Sequence, residues 1–331
     1  MAKRVRIGLI GCGGNMRGAH IPRIKNTPGG ELAALCDAFR PNAEQAIEKW
    51  GQPLPIYEDF RAMIRKAELD AVLISTPHNQ HYAQIKAALD AGLHVLVEKP
   101  LTITSAHAKS LLALAKRKKL ILHVSYQRHH VPEFRYIRDL LASGKFGEVR
   151  AVVAYVTQGW GGIGKGNPRR VWRLDPVQSG GGMFMDTGSH LVAATLFLTG
   201  LKAKEVSALV DFHGRFVDIN TVAAVRCHNG ALISLNTIGN AVRHDERLAI
   251  HTSAGSIVIH QHQWALKPVL INEEPLKLPA SYKPQTPDSS FIGWIQGKAG
   301  YEPPMYALEV SRLTEAAYVS AKKKKPVKVK Q

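Results

Sequence analysis

The sequence predicts an α/β protein of two domains, the first built on a parallel sheet and the second an α/β domain with an open, mainly antiparallel sheet. From residue 4 to residue 124, short apolar runs alternate with longer segments of helical period, which is the pattern of βαβ units. Beyond this point, apolar and polar residues alternate with a period of two, which indicates antiparallel strands. A chain of 331 residues also exceeds what one hydrophobic core usually supports. We therefore expect a first domain at residues 1–125 and a second at residues 126–331.

The first domain is expected to alternate strands with crossover helices. The predicted strands are residues 5–10, 32–36, 55–57, 71–75, 94–97 and 121–124. The predicted helices are residues 41–50, 60–66, 80–91 and 105–118. Each helix has the length that joins two parallel strands, so the order of the elements supports a single parallel sheet.

The second domain is expected to begin with a helix at residues 132–143 and to continue as antiparallel strands. The predicted strands are residues 148–157, 206–212, 221–228, 231–237, 248–252 and 256–260. Turn signals at Asn229-Gly230 and Ala254-Gly255 separate two pairs of these strands. An amphipathic helix at residues 305–323 and a short strand at 326–329 close the chain.

Composition excludes several classes of protein. Hydrophobic residues make up 45% and charged residues 21% of the chain, which is typical of folded domains and not of disordered chains. The three cysteines, Cys12, Cys36 and Cys227, stand at no metal-ligand spacing, so we expect no metal site and a reducing, cytoplasmic location. No apolar run reaches the roughly 18 residues of a membrane span, so we expect no membrane partner.

The net charge of +18 raises the alternative of a polyanion-binding protein. Much of the excess lies in two short runs, residues 116–119 and 322–330, at the ends of predicted helices. Basic side chains there complement the helix dipole. We therefore interpret these runs as solvated surface and do not expect nucleic acid as a partner.

A glycine turn, Gly11-Cys12-Gly13-Gly14, follows the first strand. In that position glycines let backbone amides approach a pyrophosphate at a helix N-terminus. We expect Gly11, Gly13, Gly14, Asn15 and Met16 to line the dinucleotide. Met16 occupies the place of the third glycine of the usual fingerprint, with Gly18 close by.

Asp37 ends the second predicted strand, where a carboxylate accepts hydrogen bonds from the ribose hydroxyls and repels a 2′-phosphate. This favours NAD. Arg40 is placed to pair with a 2′-phosphate, so NADP stays an alternative. Asp37 would also fit the N-cap of the helix that follows.

Two further motifs carry reactive side chains. Glu98-Lys99-Pro100 follows a strand directly, and the carboxyl ends of parallel strands form the ligand crevice. A lysine there can polarise a substrate oxygen. Asp186 and His190 stand four residues apart, on one face if the segment is helical, and an imidazole suits proton transfer at neutral pH.

Taken in order, these motifs resemble the glucose-fructose oxidoreductase, inositol dehydrogenase and MocA (Gfo/Idh/MocA) family over essentially the whole chain. The motifs are Gly11-Cys12-Gly13-Gly14, Asp37, Thr76-Pro77 with His81, Glu98-Lys99-Pro100, and Asp186 with His190. The resemblance implies an N-terminal Rossmann domain that binds NAD and a C-terminal α/β domain for substrate and subunit contacts.

The resemblance also implies residue roles. His190 would be the general acid/base, Lys99 would support proton transfer, and Asp186 would position the substrate or the histidine. The cofactor would contact Gln127 and the segments around Thr76 and Lys99. The residues so implied are Thr76, Pro77, His81, Glu98, Lys99 and Gln127 for the cofactor, and Lys99, Asp186 and His190 for the substrate.

We also expect Arg128, Trp160, Trp172 and Arg173 to contact the substrate. A loop with Trp160, Gly161-Gly162-Ile163-Gly164 and Trp172-Arg173 precedes Asp186, where aromatic faces can pack on a sugar ring and Arg173 can bind hydroxyls or a carboxylate. Burial in the core is an equal alternative for Trp172.

The function expected from these roles is hydride transfer between NAD and a hydroxyl of a sugar, an inositol or a related polyol. One alternative is a glycoside hydrolase that oxidises its substrate transiently and recycles the bound cofactor. A second is a non-catalytic regulator that senses the dinucleotide. Such proteins are often homo-oligomers, so a dimer or tetramer is expected.

Overall fold

A computed structural model describes residues 4–163 and 168–331 of the chain. The predicted domains also include residues 1–3 and 164–167, among them Gly164 of a predicted substrate loop, which lie outside the described residues. The chain divides into two compact units, each discontinuous in sequence. The first unit contains Met1–Thr102, Ala106–Gln127 and Gln285–Met305, and the second contains Ile103–Ser105, Arg128–Pro284 and Tyr306–Gln331. The single boundary at residues 125/126 stays a prediction.

The first unit is built on a six-stranded parallel sheet of order β3-β2-β1-β4-β5-β6. Its strands are β1 (Val5–Ile10), β2 (Gly30–Cys36), β3 (Ile56–Tyr57), β4 (Ala71–Ile74), β5 (His94–Val97) and β6 (Leu122–Val124). With numbers assigned along the whole chain, its helices are α1 (Ile21–Lys25), α2 (Arg40–Trp50), α3 (Phe60–Lys66), α4 (His78–Asp90), α5 (Ser105–Lys118) and α9 (Pro287–Ile295). These elements confirm the predicted parallel sheet.

Helix α9 is absent from the sequence prediction, although it returns to the first unit from late in the chain. Thr286 caps it: its side chain accepts from the backbone N–H of Ser289, whose hydroxyl in turn accepts from the backbone N–H of Thr286. Phe291 and Ile292 of this helix are buried in the hydrophobic core with residues of β1 and β2. The first unit is therefore completed by a segment more than 150 residues downstream of β6.

The second unit is built on a ten-stranded sheet, of order β15-β14-β12-β11-β7-β10-β9-β8-β16, with β13 paired to β12. The strands are β7 (Val149–Thr157), β8 (Ala203–Asp211), β9 (Asn220–Cys227), β10 (Leu232–Ile238), β11 (Asp245–Thr252), β12 (Ser256–His262), β13 (Ala265–Leu266), β14 (Leu270–Ile271), β15 (Glu274–Pro275) and β16 (Val327–Lys328). Among the described strands of this second sheet, only β7 and β10 pair in parallel, which confirms a mainly antiparallel sheet.

The helices of the second unit are α6 (Pro132–Ala142), α7 (Pro176–Ser179), α8 (Gly188–Thr199) and α10 (Met305–Lys323). Residues of β9 alternate between buried and exposed, so one face of the sheet forms the core. The other face, which we call the open sheet face, carries exposed residues of β7 to β10.

Two remaining expectations concern location. Within the described ranges, none of the helices combines the length and the apolar character that crossing a bilayer requires. Cys12, Cys36 and Cys227 are all buried free thiols. The cytoplasmic location stays a prediction.

Candidate functional site

The glycine turn after β1 has two different steric environments. Gly11 has a φ of +86°, and a Cβ added there would lie 2.5 Å from the Ser75 carbonyl oxygen, so only glycine fits. Added Cβ atoms at Gly13 and Gly14, by contrast, would meet no heavy atom within 4 Å. The backbone at these two positions therefore borders open space, as close approach to a pyrophosphate requires.

Asn15 and Met16 begin the turn that leads into α1. Residues Met16–His20 form a π-helical turn, in which the Ile21 N–H donates to the Met16 carbonyl. The Met16 side chain is fully buried in the core of the first unit. The residue that replaces the third glycine therefore packs its side chain into the core, and only its backbone borders the glycine turn.

Asp37 lies beside the glycine turn at the end of β2. One carboxylate oxygen accepts from the backbone N–H of Cys12 at 2.8 Å and from the Asn42 side chain at 3.2 Å, and the other accepts from the Phe39 N–H at 2.8 Å. Each carboxylate oxygen has two lone pairs, so acceptor capacity remains. Together with the open space at Gly13 and Gly14, this arrangement fits the ribose and pyrophosphate of a dinucleotide.

Two arginines lie near this cradle. Arg40 is exposed at the start of α2 and pairs with Glu44, 3.1 Å away. Arg17, which the sequence analysis missed, donates to the Cys12 carbonyl at 2.6 Å and to Asn42 at 3.3 Å. Arg17 is therefore fixed at the glycine turn by the same asparagine that contacts the Asp37 carboxylate.

The loops after β4 and β5 are joined by a buried histidine. The two ring nitrogens of His81 lie 3.1 Å from the Thr76 carbonyl oxygen and 2.9 Å from the Pro100 carbonyl oxygen. Burial lowers the pKa of His81. Thr76 donates its hydroxyl to Gln84 at 2.6 Å, and the Lys99-Pro100 peptide bond is cis. His81 thus supports the segments expected to contact the cofactor.

Glu98 belongs to a cluster that sequence reasoning missed, which we call the His20 cluster: His20, Glu98 and Asp288. His20 is fully buried, with Nε2 2.9 Å from the Glu98 carboxylate and Nδ1 2.7 Å from the Asp288 carboxylate. Although burial lowers the pKa of His20, the charges and hydrogen bonds of Asp288 and Glu98 outweigh it and raise this pKa to about 9. His20 is therefore an imidazolium at neutral pH, and it fixes the residue that precedes Lys99.

Lys99 and Gln127 are the remaining predicted residues of the first unit. Lys99 is half-buried directly after β5 and next to the held Glu98. Gln127 begins a 3₁₀ turn, Gln127–His130, shortly after β6. Pro77 is the N-cap of α4, so each of these positions follows the carboxyl end of a parallel strand.

In the second unit, Asp186 is the centre of what we call the Asp186 cluster: Asp186, Trp160 and Arg173. One oxygen of its carboxylate accepts from the Trp160 indole N–H at 3.0 Å and from Arg173 Nε at 3.1 Å. The Arg173 guanidinium also lies 4.3 Å from the centre of the Trp172 ring. Trp160 is buried, so it presents its N–H to Asp186 and no ring face to solvent.

His190 lies in the first turn of α8, whereas Asp186 is in the turn that precedes this helix and is not part of it. The Ser189 hydroxyl donates to the Asp186 carbonyl at 2.8 Å. The His190 backbone N–H donates to the Thr187 carbonyl at 3.0 Å. These local hydrogen bonds at the start of α8 therefore fix the backbone between Asp186 and His190.

Gly182 is the last glycine of the run Gly180-Gly181-Gly182 before Asp186, and it packs against Asp218, which sequence reasoning also missed. The Asp218 carboxylate accepts from the N–H groups of Gly182 and Phe184, at 2.6 and 2.7 Å, and from the Tyr318 hydroxyl at 2.6 Å. A Cβ at Gly182 would overlap the Asp218 backbone. Gly182 therefore permits close packing that positions the segment leading to Asp186.

Arg128, a predicted substrate residue, is buried in an ion pair with Glu246. Its guanidinium also donates to the Gln261 side chain at 3.2 Å. Burial raises the pKa of Glu246, and Arg128 opposes that effect. In this structure Arg128 links its 3₁₀ turn to β11 and β12.

Comparison with known proteins places both parts of the chain in one family. Residues 5–126 match the family model described as GFO/IDH/MocA oxidoreductase family, NAD-binding Rossmann fold. Residues 134–258 match the model of the GFO/IDH/MocA C-terminal domain. These matches confirm the predicted family, the Rossmann fold and NAD as the cofactor.

Individual curated relatives match part of this chain at moderate sequence identity. An uncharacterised oxidoreductase of Escherichia coli, YdgJ, is 33% identical over 64% of this chain and 57% of its own length. D-glucoside 3-dehydrogenase of the same organism is 28% identical over 62% of this chain and 57% of its own length. The chain therefore spans little more than half the length of these curated relatives.

Among solved structures, the WlbA dehydrogenase of Bordetella pertussis, in complex with NADH and UDP-GlcNAcA, superimposes with a TM-score of 0.84. The match covers 99% of this chain and all of that chain, at 21% identity. At this identity the likeness shows a shared fold.

Proposed function

The chain belongs to the Gfo/Idh/MocA family of oxidoreductases, and we propose that it transfers a hydride between NAD and a hydroxyl-bearing carbon of a sugar, an inositol or a related polyol. The observation that carries the proposal is the dinucleotide cradle: Asp37 beside open backbone at Gly13 and Gly14. The relatives that act on or bind sugars, D-glucoside 3-dehydrogenase and WlbA, support the substrate class.

When bound, NAD supplies the hydride acceptor or donor at its nicotinamide ring. We propose that His190 takes the proton of the reacting hydroxyl, since an imidazole changes protonation near neutral pH. Lys99 stabilises the negative charge that develops on the substrate oxygen. Lys99 follows Glu98 in the sequence, and the side chain of Glu98 is held in place by His20.

Asp186 acts as a positioning residue in this proposal. Its carboxylate accepts from Trp160 and Arg173 and so fixes these side chains, while its backbone carbonyl accepts from Ser189 at the start of α8. Trp172 and Arg173 are the side chains we propose for substrate contact, because both are partly exposed. Trp160 and Arg128, which are buried, contribute through Asp186 and Glu246.

A substrate panel tests the proposal. Sugars, inositols and aryl glycosides are incubated with NAD or NADP, and both reduced cofactor and released aglycone are measured. We expect reduced cofactor in proportion to oxidised product. Aglycone release without net reduced cofactor would instead establish the cofactor-recycling glycoside hydrolase, and no turnover of any panel member would favour the dinucleotide-sensing regulator.

Variants assign the roles. His190→Ala and Lys99→Ala are each expected to lower kcat by about 100-fold or more, as loss of a proton-transfer or charge-stabilising group does. His251→Ala on β11 and Lys109→Ala on α5 are exposed controls of the same residue types and should retain activity. Full activity in the first pair of variants would contradict the assignment.

We also propose that the chain forms a homo-oligomer through the open sheet face. Large aliphatic side chains are exposed there on neighbouring strands, with Leu209 of β8 directly opposite Val222 of β9 in the sheet. The exposed aliphatic residues of this face are Val153, Leu209, Val222, Leu232 and Ile238. A second copy would remove this apolar surface from water.

Light scattering of the wild type and of Leu209→Asp/Val222→Asp tests this assembly. We expect a dimer or tetramer in the wild type and a smaller species in the variant. Phe216→Asp, in the exposed segment between β8 and β9, is the control and should keep the wild-type mass. A monomeric wild type would overturn the proposal.

A further inference from the structure

Three side chains of metal-ligating types lie close together on β11 and β12, on the side of the sheet that carries the open sheet face. They are Asp245 at the start of β11, and His260 and His262 on β12, which we call the Asp245 cluster. Asp245 lies directly opposite His262 in the antiparallel register. Since alternate residues of a strand share a face, His260 lies on the same side as His262. The hairpin thus brings Asp245 together with residues 15 and 17 positions away.

The distances within the cluster are close to those of a metal site. His260 Nε2 lies 2.8 Å and His262 Nδ1 3.0 Å from the same carboxylate oxygen, Asp245 Oδ1. One donor atom from each residue lies within 4.8 Å of the other two. Bonds of about 2.0–2.1 Å from nitrogen or oxygen to zinc place tetrahedral ligands about 3.3 Å apart. Small side-chain rotations therefore suffice to admit an ion.

The carboxylate is prepared for this role by its neighbours. The Tyr155 hydroxyl of β7 donates to the second oxygen, Asp245 Oδ2, at 2.7 Å, which orients the carboxylate and leaves Oδ1 toward the imidazoles. An aspartate carboxyl is ionised at neutral pH, as a metal ligand must be.

We propose that Asp245, His260 and His262 bind one divalent transition-metal ion of the zinc class, with Tyr155 orienting the carboxylate. Two imidazoles and one carboxylate suit zinc and its neighbours in the first transition row better than magnesium or calcium, which prefer all-oxygen sites. Three protein ligands leave a fourth position for water or another ligand.

The ion would tie β11 to β12 through side chains. Arg247 lies opposite His260 in the register, and its positive charge opposes binding of a cation. Because Arg247 is exposed, water and salt screen that charge. The proposal is independent of the proposed dehydrogenase activity, because the cluster shares no residue with the predicted cofactor or substrate residues.

Titration with Zn²⁺ tests the proposal, using full-length chain that carries no purification tag and has been dialysed against a chelator. We expect one equivalent to bind to the wild type. His260→Ala/His262→Ala should weaken that binding by more than about tenfold, and Tyr155→Phe should weaken it by about tenfold, as loss of an orienting partner does. His251→Ala, an exposed histidine of β11 outside the cluster, should bind as the wild type does.

Thermal unfolding supplies a second measurement that does not depend on the titration. An ion that binds only the folded chain raises the unfolding temperature. Zn²⁺ should therefore raise the midpoint of the wild type and of His251→Ala, and leave that of His260→Ala/His262→Ala unchanged. Equal Zn²⁺ affinity in the wild type and the double variant would overturn the proposal, as would a wild type that shows no saturable binding.

Discussion

Two buried carboxylate clusters, one in each unit, are neutralised in different ways. In the His20 cluster, one imidazolium is shared by Glu98 and Asp288, and Arg23 lies 3.5 Å from the second oxygen of Asp288. In the Asp186 cluster, a guanidinium and an indole N–H meet a single carboxylate. An imidazolium loses its charge within the experimental pH range, whereas a guanidinium keeps it. The first cluster is therefore sensitive to pH and the second is not.

The largest effect is expected from removing the shared imidazolium. His20→Ala leaves Glu98 and Asp288 buried without the imidazolium that they share, while Arg23 remains 3.5 Å from Asp288. Loss of one partner from a buried ion pair costs about 3–5 kcal/mol. Chemical denaturation of the wild type and the variant at pH 7 measures this difference. A loss below about 1 kcal/mol would contradict a charged His20.

The pH dependence of stability distinguishes the two clusters. The pKa of His20 rises from 6.5 to about 9 in the folded chain, so its contribution is fully present below pH 6.5 and is lost as the pH rises through about 9. At 1.36 kcal/mol per pKa unit, the contribution is on the order of 3 kcal/mol.

Unfolding free energies at pH 7 and pH 10 measure that loss. The fall between the two values should be larger in the wild type than in His20→Gln, which carries no titratable group at this position. Asp186→Asn should lose as much unfolding free energy between pH 7 and pH 10 as the wild type does, because an arginine does not titrate in this range. A His20→Gln variant with the wild-type pH dependence would remove the distinction between the clusters.

A smaller effect is expected when the Asp186 charge is removed. Asp186→Asn keeps an oxygen that accepts from Trp160 but leaves Arg173, which is 22% exposed, without a counter-charge. We expect a loss of about 1–2 kcal/mol of stability, as for a hydrogen bond to a charged group in a partly solvated site. Activity should fall through a higher KM, since the variant releases Arg173, a proposed substrate contact, but keeps the bond from the Ser189 hydroxyl to the Asp186 backbone carbonyl at the start of α8. Denaturation and steady-state kinetics test this, with Arg170→Gln as the exposed control.

The smallest expected effect concerns cofactor choice. Asp37→Ser removes the charge that repels a 2′-phosphate while Arg17 remains at the turn. We expect NAD affinity to fall and NADP affinity to rise, which changes their ratio by roughly 10-fold. Binding titrations with both cofactors measure it. An unchanged ratio would show that Asp37 serves only to hold the Cys12 and Phe39 amides.

The sheet of the first unit was predictable from sequence because its strands are short, apolar and buried on both faces, so β1 and β5 have the predicted bounds. Helix α9 was missed because it packs in the core of the first unit, whose other elements are far away in the sequence. The same separation hides the His20 cluster, since Asp288 is 268 residues from His20. Local patterns contain no information about such contacts.

The candidate site was predictable where it depends on local geometry. The strand-to-turn position of Gly11 is visible in the sequence, and its φ of +86° explains the glycine. Burial was not visible: Met16, Trp160 and Arg128 have residue types that suit ligand contact, yet all three are buried. Chain neighbours alone do not reveal which polar or aromatic side chains are used for packing.

Transfer of deuterium tests the central claim most directly. A substrate from the panel, labelled with deuterium at the carbon that carries the reacting hydroxyl, is turned over with NAD, and the reduced cofactor is analysed by mass spectrometry. The proposed chemistry predicts one deuterium in each reduced cofactor formed by the wild type, and a rate at least about 100-fold lower in His190→Ala. Reduced cofactor that lacks the label, or labelled cofactor formed at the wild-type rate by His190→Ala, would contradict it.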